Sequence, residues 1–156
     1  MQGLRVAIVA ASLCLSSAAH ADWQYTKWGM TPVQVASASK GTVNVGKGKP
    51  DQEYEGAEIG ATGTFTSGNY SFTVNFHFRD EKLVDVRLNL VRGERYALKN
   101  DLLGLYGKPF DESIGGLDLT TWHDPEKNNR VDLLMIGAGY TMLEYRPLRS
   151  ENTSGL

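Results

Sequence analysis

"YSFTVNFHFRDEKLVDVRLNL", residues 70–90, decides how the rest of the chain is read. Tyr70, Phe72, Val74, Phe76 and Phe78 fall on one parity, and Ser71, Thr73, Asn75 and His77 on the other, which is the period of a half-buried strand. After the polar turn Arg79-Asp80-Glu81-Lys82 the alternation resumes, with Val84, Val86, Leu88 and Leu90 inward and Asp85, Arg87 and Asn89 outward. Upstream, Ile59, Ala61 and Phe65 alternate with Thr62, Thr64 and Thr66 before the turn "SGN" at 67–69. Three successive antiparallel strands therefore share one aromatic face, which something must cover, and one polar face that can meet water.

Working outward, "GERYALKNDLLGLYGKP" (93–109) changes to helical spacing, with Leu98, Leu102, Leu105 and Tyr106 on one side and Gly107 and Pro109 as stops. Three further strands follow at "LDLTTWH", "RVDLLMI" and "YTMLEY". On the other side, Thr31-Pro32-Val33-Gln34 matches the capping box, with Pro32 at the first helical position and Met30 and Val35 placed as a hydrophobic staple. A helix is expected over about residues 32–39. "WQYTKW" (23–28) is a possible extra strand, and "GTVNVGKGKPDQEYEG" (41–56) reads as a loop. The expected fold is a two-layer α+β domain, an antiparallel sheet of about six strands with two helices packed on one face.

The chain opens "MQGLRVAIVAASLCLSSAAHA": Arg5, an apolar run, then small residues ending in Ala19-His20-Ala21. That order is a secretory signal peptide over residues 1–21, with the mature chain starting at Asp22. The run is too short for a membrane-spanning helix, so no stable membrane insertion is expected. Cys14, the only cysteine, falls inside the leader behind Leu13; reading it as a lipid-accepting residue is the weaker choice. A single domain over 22–149 and a polar tail over 150–156 complete the organisation, and the mature domain has no disulfide. With 15 Lys plus Arg against 18 Asp plus Glu after residue 21, the chain has no electrostatic footprint for nucleic acid.

Catalytic motifs are missing: no nucleophile elbow, metal-binding His pair, phosphate loop or calcium loop is present. Glu53, Glu55, Glu58, Asp111 and Glu112 could supply a carboxylate pair, but nothing in their spacing selects one. His77 is read chiefly as an exposed strand histidine, with a proton-transfer or ligand role beside Asp85 as the functional alternative. His123 ends a strand in turn chemistry, and neither metal nor cofactor is expected. Trp28 and Trp122 are read as core or core edge, while Tyr54, in the polar loop, has the least structural reason to be there.

"WGMTPVQV" opening a helix, the hairpin "VNFHFRDEKLVDVRLNL" and the helix ending "LLGLYGKP" resemble the beta-lactamase-inhibitor-protein-like domains and the SmpA/OmlA-type small outer-membrane assembly lipoproteins. In those families the open sheet face or the loops contact other proteins, so the resemblance implies the same habit here. Two departures are visible: the assembly lipoproteins carry a lipidated cysteine, and the inhibitors carry disulfides. The expectation is an exported, periplasmic, non-catalytic binding module contacting an envelope protein through Thr62, Thr64, Thr66, Thr73, Asn75, His77, Arg87 and Tyr54. A small-ligand or cell-wall-glycan binder or hydrolase is the second reading, and a stress-related structural or inhibitory protein the third.

Overall fold

A computed structural model describes residues 23–46, 56–113, 115 and 117–148. The expected signal peptide at 1–21, Tyr54 and the expected tail at 150–156 lie outside the described residues. Along the chain run α1 (Pro32–Ala38), β1 (Val43–Val45), β2 (Glu58–Ser67), β3 (Tyr70–Arg79), β4 (Lys82–Arg92), α2 (Arg95–Tyr106), β5 (Asp111–Ser113), β6 (Leu117–Asp124), β7 (Asn129–Ile136) and β8 (Tyr140–Pro147). The strands make one sheet in the order β1-β2-β3-β4-β8-β7-β6-β5, antiparallel throughout. Two four-stranded meanders thus meet at the β4–β8 seam, and α2 links them. The α+β class, the two helices and the antiparallel sheet agree with expectation; among the described residues, eight strands replace about six.

The two additional strands are short edges, and each comes from a stretch without alternation. β1 arises within the segment read as a loop, and β5 follows α2 directly. β1 pairs with β2 and buries Val43, and Gly63 permits the approach, since a Cβ there would lie 2.6 Å from the Thr42 carbonyl oxygen. "WQYTKW" forms turns instead of a strand. Its chain is fixed at both ends, by Thr26 donating to the Trp23 carbonyl and by Gly29 and Met30 exchanging backbone hydrogen bonds with Leu83 at 3.0 and 2.9 Å.

α1 begins as its sequence requires. Gln34 N–H donates to Thr31 Oγ1 and Thr31 N–H donates to Gln34 Oε1, closing the capping box, while Pro32 occupies the first turn. α2 is capped by Glu94, whose carboxylate accepts from the Tyr96 and Ala97 amides. It ends at Gly107, whose φ of 74° is open to glycine without steric cost. Leu98 and Leu102 face the sheet, but Leu105 is 70% exposed, because the short helix overlaps β6 only along one stripe.

Val35 of α1 and Leu98 and Leu102 of α2 pack on Phe72, Val74, Phe76, Val86, Trp122, Val131, Leu133, Leu143 and Tyr145, one continuous core across both meanders. Trp23 is buried in it, edge-on to Tyr25, Phe65 and Phe76. Trp122 is also buried and donates to the Gly107 carbonyl; Trp28 is half-buried and donates to Asn129 Oδ1 at 3.2 Å. One detail of the hairpin differs from simple alternation. Phe78 pairs with Leu83 and His77 with Asp85, so Val84 is the extra residue of a β-bulge. Leu83, not Val84, therefore joins Phe78 in the core, and Asp85 is kept beside His77 on the opposite face.

Candidate functional site on the helix-free sheet face

Register, rather than proximity in sequence, assembles the candidate site. On the face away from the helices, Thr62, Asn75, Arg87, Glu144, Asp132, Thr121 and Asp111 stand opposite one another across the sheet. The neighbouring row contributes His77, Asp85, Arg146 and Arg130. Of these, His77, Asp85, Arg87, Glu144, Arg146, Asp132, Arg130 and Thr121 form a polar and charged ladder spanning β3, β4, β8, β7 and β6.

Acids and guanidinium groups contact one another along it. His77 Nδ1 lies 2.9 Å from Asp85 Oδ1, and Arg87 Nε lies 3.4 Å from Asp85 Oδ2 and 2.9 Å from Glu144 Oε1. Arg146 Nε is 3.4 Å from Glu144 Oε2, and Arg146 donates to Asp132 at 2.8 Å. Asp132 also accepts from Arg130 at 2.8 Å and from the Thr121 hydroxyl at 2.5 Å. Arg87 faces Glu144 directly across β4 and β8, whereas on β7 and β8 like charges stand opposite, Arg130 to Arg146 and Asp132 to Glu144, and the attraction runs diagonally from Arg146 to Asp132.

Burial is uneven between the signs, and this decides what the face presents. The side chains of Asp85, Asp132 and Glu144 are only 4–7% exposed, whereas those of Arg87, Arg146 and Arg130 are 17%, 25% and 40% exposed. Carboxylates form the floor, and guanidinium groups form the surface toward water. The field above the ladder is therefore led by arginine, although the whole chain carries a formal charge of −2.

The acids differ in protonation. Burial, then the hydrogen bond and charge of Asp85 beside it, push the Glu144 carboxyl up to about 7, against the pull of Arg146 and Arg87. Burial likewise raises Asp85, against the hydrogen bond with Glu144 and the charges of Arg87 and Arg146. Burial would also raise Asp132, but hydrogen bonds from Arg130, Thr121 and Arg146 outweigh it and hold this carboxyl below the usual range. His77 is brought down to about 4 by burial and by Arg87, against the charge of Glu144, and is neutral at pH 7.

His77 and Glu144 therefore oppose each other in stability. The unfolded chain protonates its histidine first, so the His77 contribution is lost as pH falls from 6.5 toward about 4. The folded chain protonates Glu144 first, so that contribution is lost as pH rises from 4.5 toward about 7. Urea titrations across this range should show Glu144→Gln gaining stability with rising pH, and His77→Gln losing it. The stabilities of the two variants should diverge in opposite directions by roughly 2 kcal/mol each. Parallel profiles would contradict the assignment.

Beyond the ladder, toward the β7–β8 turn, the same face becomes apolar. Leu119, Leu134 and Met142 pair side by side, and Leu117, Ile136 and Tyr140 form the next row. Leu117, Ile136 and Tyr140 are 51%, 40% and 46% exposed. At the β5 edge Phe110 stacks on His123, ring centroids 3.9 Å apart. On the β2–β3 half, Thr62, Thr64, Thr66 and Thr73 are exposed and Asn75 is half-buried, a flat hydroxyl and amide surface.

The sequence-predicted residues thus divide. Thr62, Thr64, Thr66, Thr73 and Asn75 share one exposed side of the face, while His77 and Arg87 belong to the ladder; Tyr54 lies outside the described residues. His77 is a correction: it is 2% exposed, because Asp85 and the bulge draw it into the ladder rather than leaving it in water. Asp85, read as outward and solvated, is buried for the same reason.

Glu144, Asp132, Arg146, Arg130 and Thr121 escaped sequence reasoning, because no spacing rule joins β6, β7 and β8 to β4. A signal was present in Val131-Asp132-Leu133 and Leu143-Glu144-Tyr145, carboxylates set between core residues. Likewise, the apolar Leu134 and Ile136 beside Leu133 and Met135 mark a strand apolar on both faces. Among the described residues no group of three or more His, Cys, Asp or Glu is placed to hold a metal ion, and no helix is long and apolar enough to cross a membrane. Compared with protein-family models, with curated proteins and with solved structures, the chain finds no match.

Proposed function

We propose that this chain is an exported, non-catalytic binding module of the periplasm that contacts an envelope protein through its helix-free sheet face. The observation that supports this reading is the exposed strip of Leu117, Ile136 and Tyr140, continued by Leu119, Leu134 and Met142, beside the charge ladder. A contiguous apolar patch on a sheet face, rimmed by polar groups, is the mark of a contact surface. The ladder supports the role differently: Asp132 fixes the Arg130 and Arg146 guanidinium groups in place, and preorganised groups lose less entropy on binding. For the glycan-binding alternative, Trp122 and Trp23 are buried at 1% and 3% exposure and are not available to stack on a sugar ring.

Affinity capture from periplasm tests the reading, with the chain starting at Asp22 as bait and the double variant Leu117→Asp, Ile136→Asp as control. Both changes lie on exposed side chains, so the fold should survive them. A protein retained by the wild type and lost from the variant is the expected result. Equal retention, or none by either bait, would contradict it.

A further inference from the structure

The two ends of the helix-free face differ in chemistry, and the difference selects a partner. One end is the apolar strip, whose Leu134 and Ile136 lie on β7. At the other end of the same strand, and on the same face, stands Arg130, the most exposed of the three guanidinium groups, oriented by Asp132 beneath it. We propose that this face receives an acidic amphipathic segment of a partner protein, with large apolar side chains on the Leu134, Ile136, Leu117 and Tyr140 strip and a carboxylate on Arg130. This rests on the binding role proposed above and adds the chemistry of the partner.

Charge complementarity carries the choice of occupant. A guanidinium already aligned by one carboxylate keeps outward N–H groups in a planar fork, which suits a second carboxylate. A second copy of this chain fits poorly. In a two-fold face-to-face pairing the arginine end would meet either its own like charge or the partner copy's apolar strip, which offers its outward N–H groups no carboxylate.

Geometry adds a spacing. Arg130 and Leu134 are four strand residues apart, about 13 Å at roughly 3.3 Å per residue. A helical partner covers that distance in about nine residues and an extended one in about four. The acidic group should therefore be separated from the apolar anchors by one of those intervals.

Panning a displayed library of random peptides against the mature chain tests this even while the natural partner is unidentified. The enriched peptides should combine Asp or Glu with two or more large apolar residues at one of the two spacings. A synthetic copy of the leading peptide should bind Arg130→Gln and Ile136→Asp about tenfold more weakly than wild type, and its affinity for the wild type should fall with added salt.

Asp132 keeps Arg146 and Thr121 in Arg130→Gln, and unchanged urea midpoints would verify folding. Should that variant not fold, the salt dependence and the composition of the peptides still decide. Enrichment without acidic residues, or binding indifferent to both Arg130→Gln and salt, would overturn the inference. So would adsorption to phosphatidylglycerol vesicles in place of peptides, or a dimer dispersed by Ile136→Asp. A periplasmic protein lost through the strip variants but showing no acidic preference would overturn this inference alone and leave the binding role standing.

Discussion

Arg87→Met should cost about 3–5 kcal/mol of stability at about pH 8, the range for removing one partner of a buried ion pair. Arg87 Nε stands between Asp85 and Glu144, at 3.4 and 2.9 Å, and both carboxyls are all but shut off from water. Without the guanidinium, two buried acids face each other with one cation fewer, and the ionised form of either becomes costly. Lowering the pH to about 5 should recover much of the loss, because both carboxyls already lean toward the protonated state and can take up protons. Urea denaturation at the two pH values measures this. A loss equal at both would mean that Arg87 acts through its alkyl chain and packing rather than through its charge.

Trp23→Ala should be as damaging for a different reason. Trp23 is 3% exposed and lies edge-on to Phe65 and Phe76, 5.4 and 5.7 Å from their ring centroids, with Tyr25 and Tyr145 around it. Truncating a buried tryptophan costs about 3–5 kcal/mol through lost transfer energy and the cavity left behind. In a domain of this size that lowers the melting temperature by about 10 °C or more. A chain shortened to start at Thr26 should lose at least as much, since it removes Tyr25 as well. Thermal unfolding followed by near-ultraviolet circular dichroism would show both, and a melting temperature within a few degrees of wild type would contradict the placement of Trp23 in the core.

The hairpin of residues 70–90 was legible in the sequence because one face is buried against helices, which forces a period of two. Alternation misplaced Val84 because a bulge is a local backbone choice with no period of its own, and its effect is to pair His77 with Asp85. The capping box at Thr31 was readable because it is local chemistry. β1 and β5 were not, being three-residue edges that exist only because a neighbouring strand offers free backbone groups.

The candidate site shows the same division between local and distant. Thr62, Thr64, Thr66, Thr73 and Asn75 could be read onto one face from parity within a meander. Joining Arg87 to Glu144 required the β4–β8 seam, a contact between residues 57 positions apart that no local rule announces. The buried carboxylates and the apolar strip both come from strands of the second meander, where apolar residues occupy both parities and parity alone cannot tell face from core.

The role of the helix-free face can be tested directly by a scan with a photo-activated cross-linking side chain in living cells. Positions would be Leu117, Ile136 and Tyr140 on that face and Leu105 and Val33, both exposed, on the helices. A discrete adduct with another protein should form from the three sheet positions and be absent from the two helical ones. Adducts confined to the helical positions, with none from the sheet face, would contradict the account.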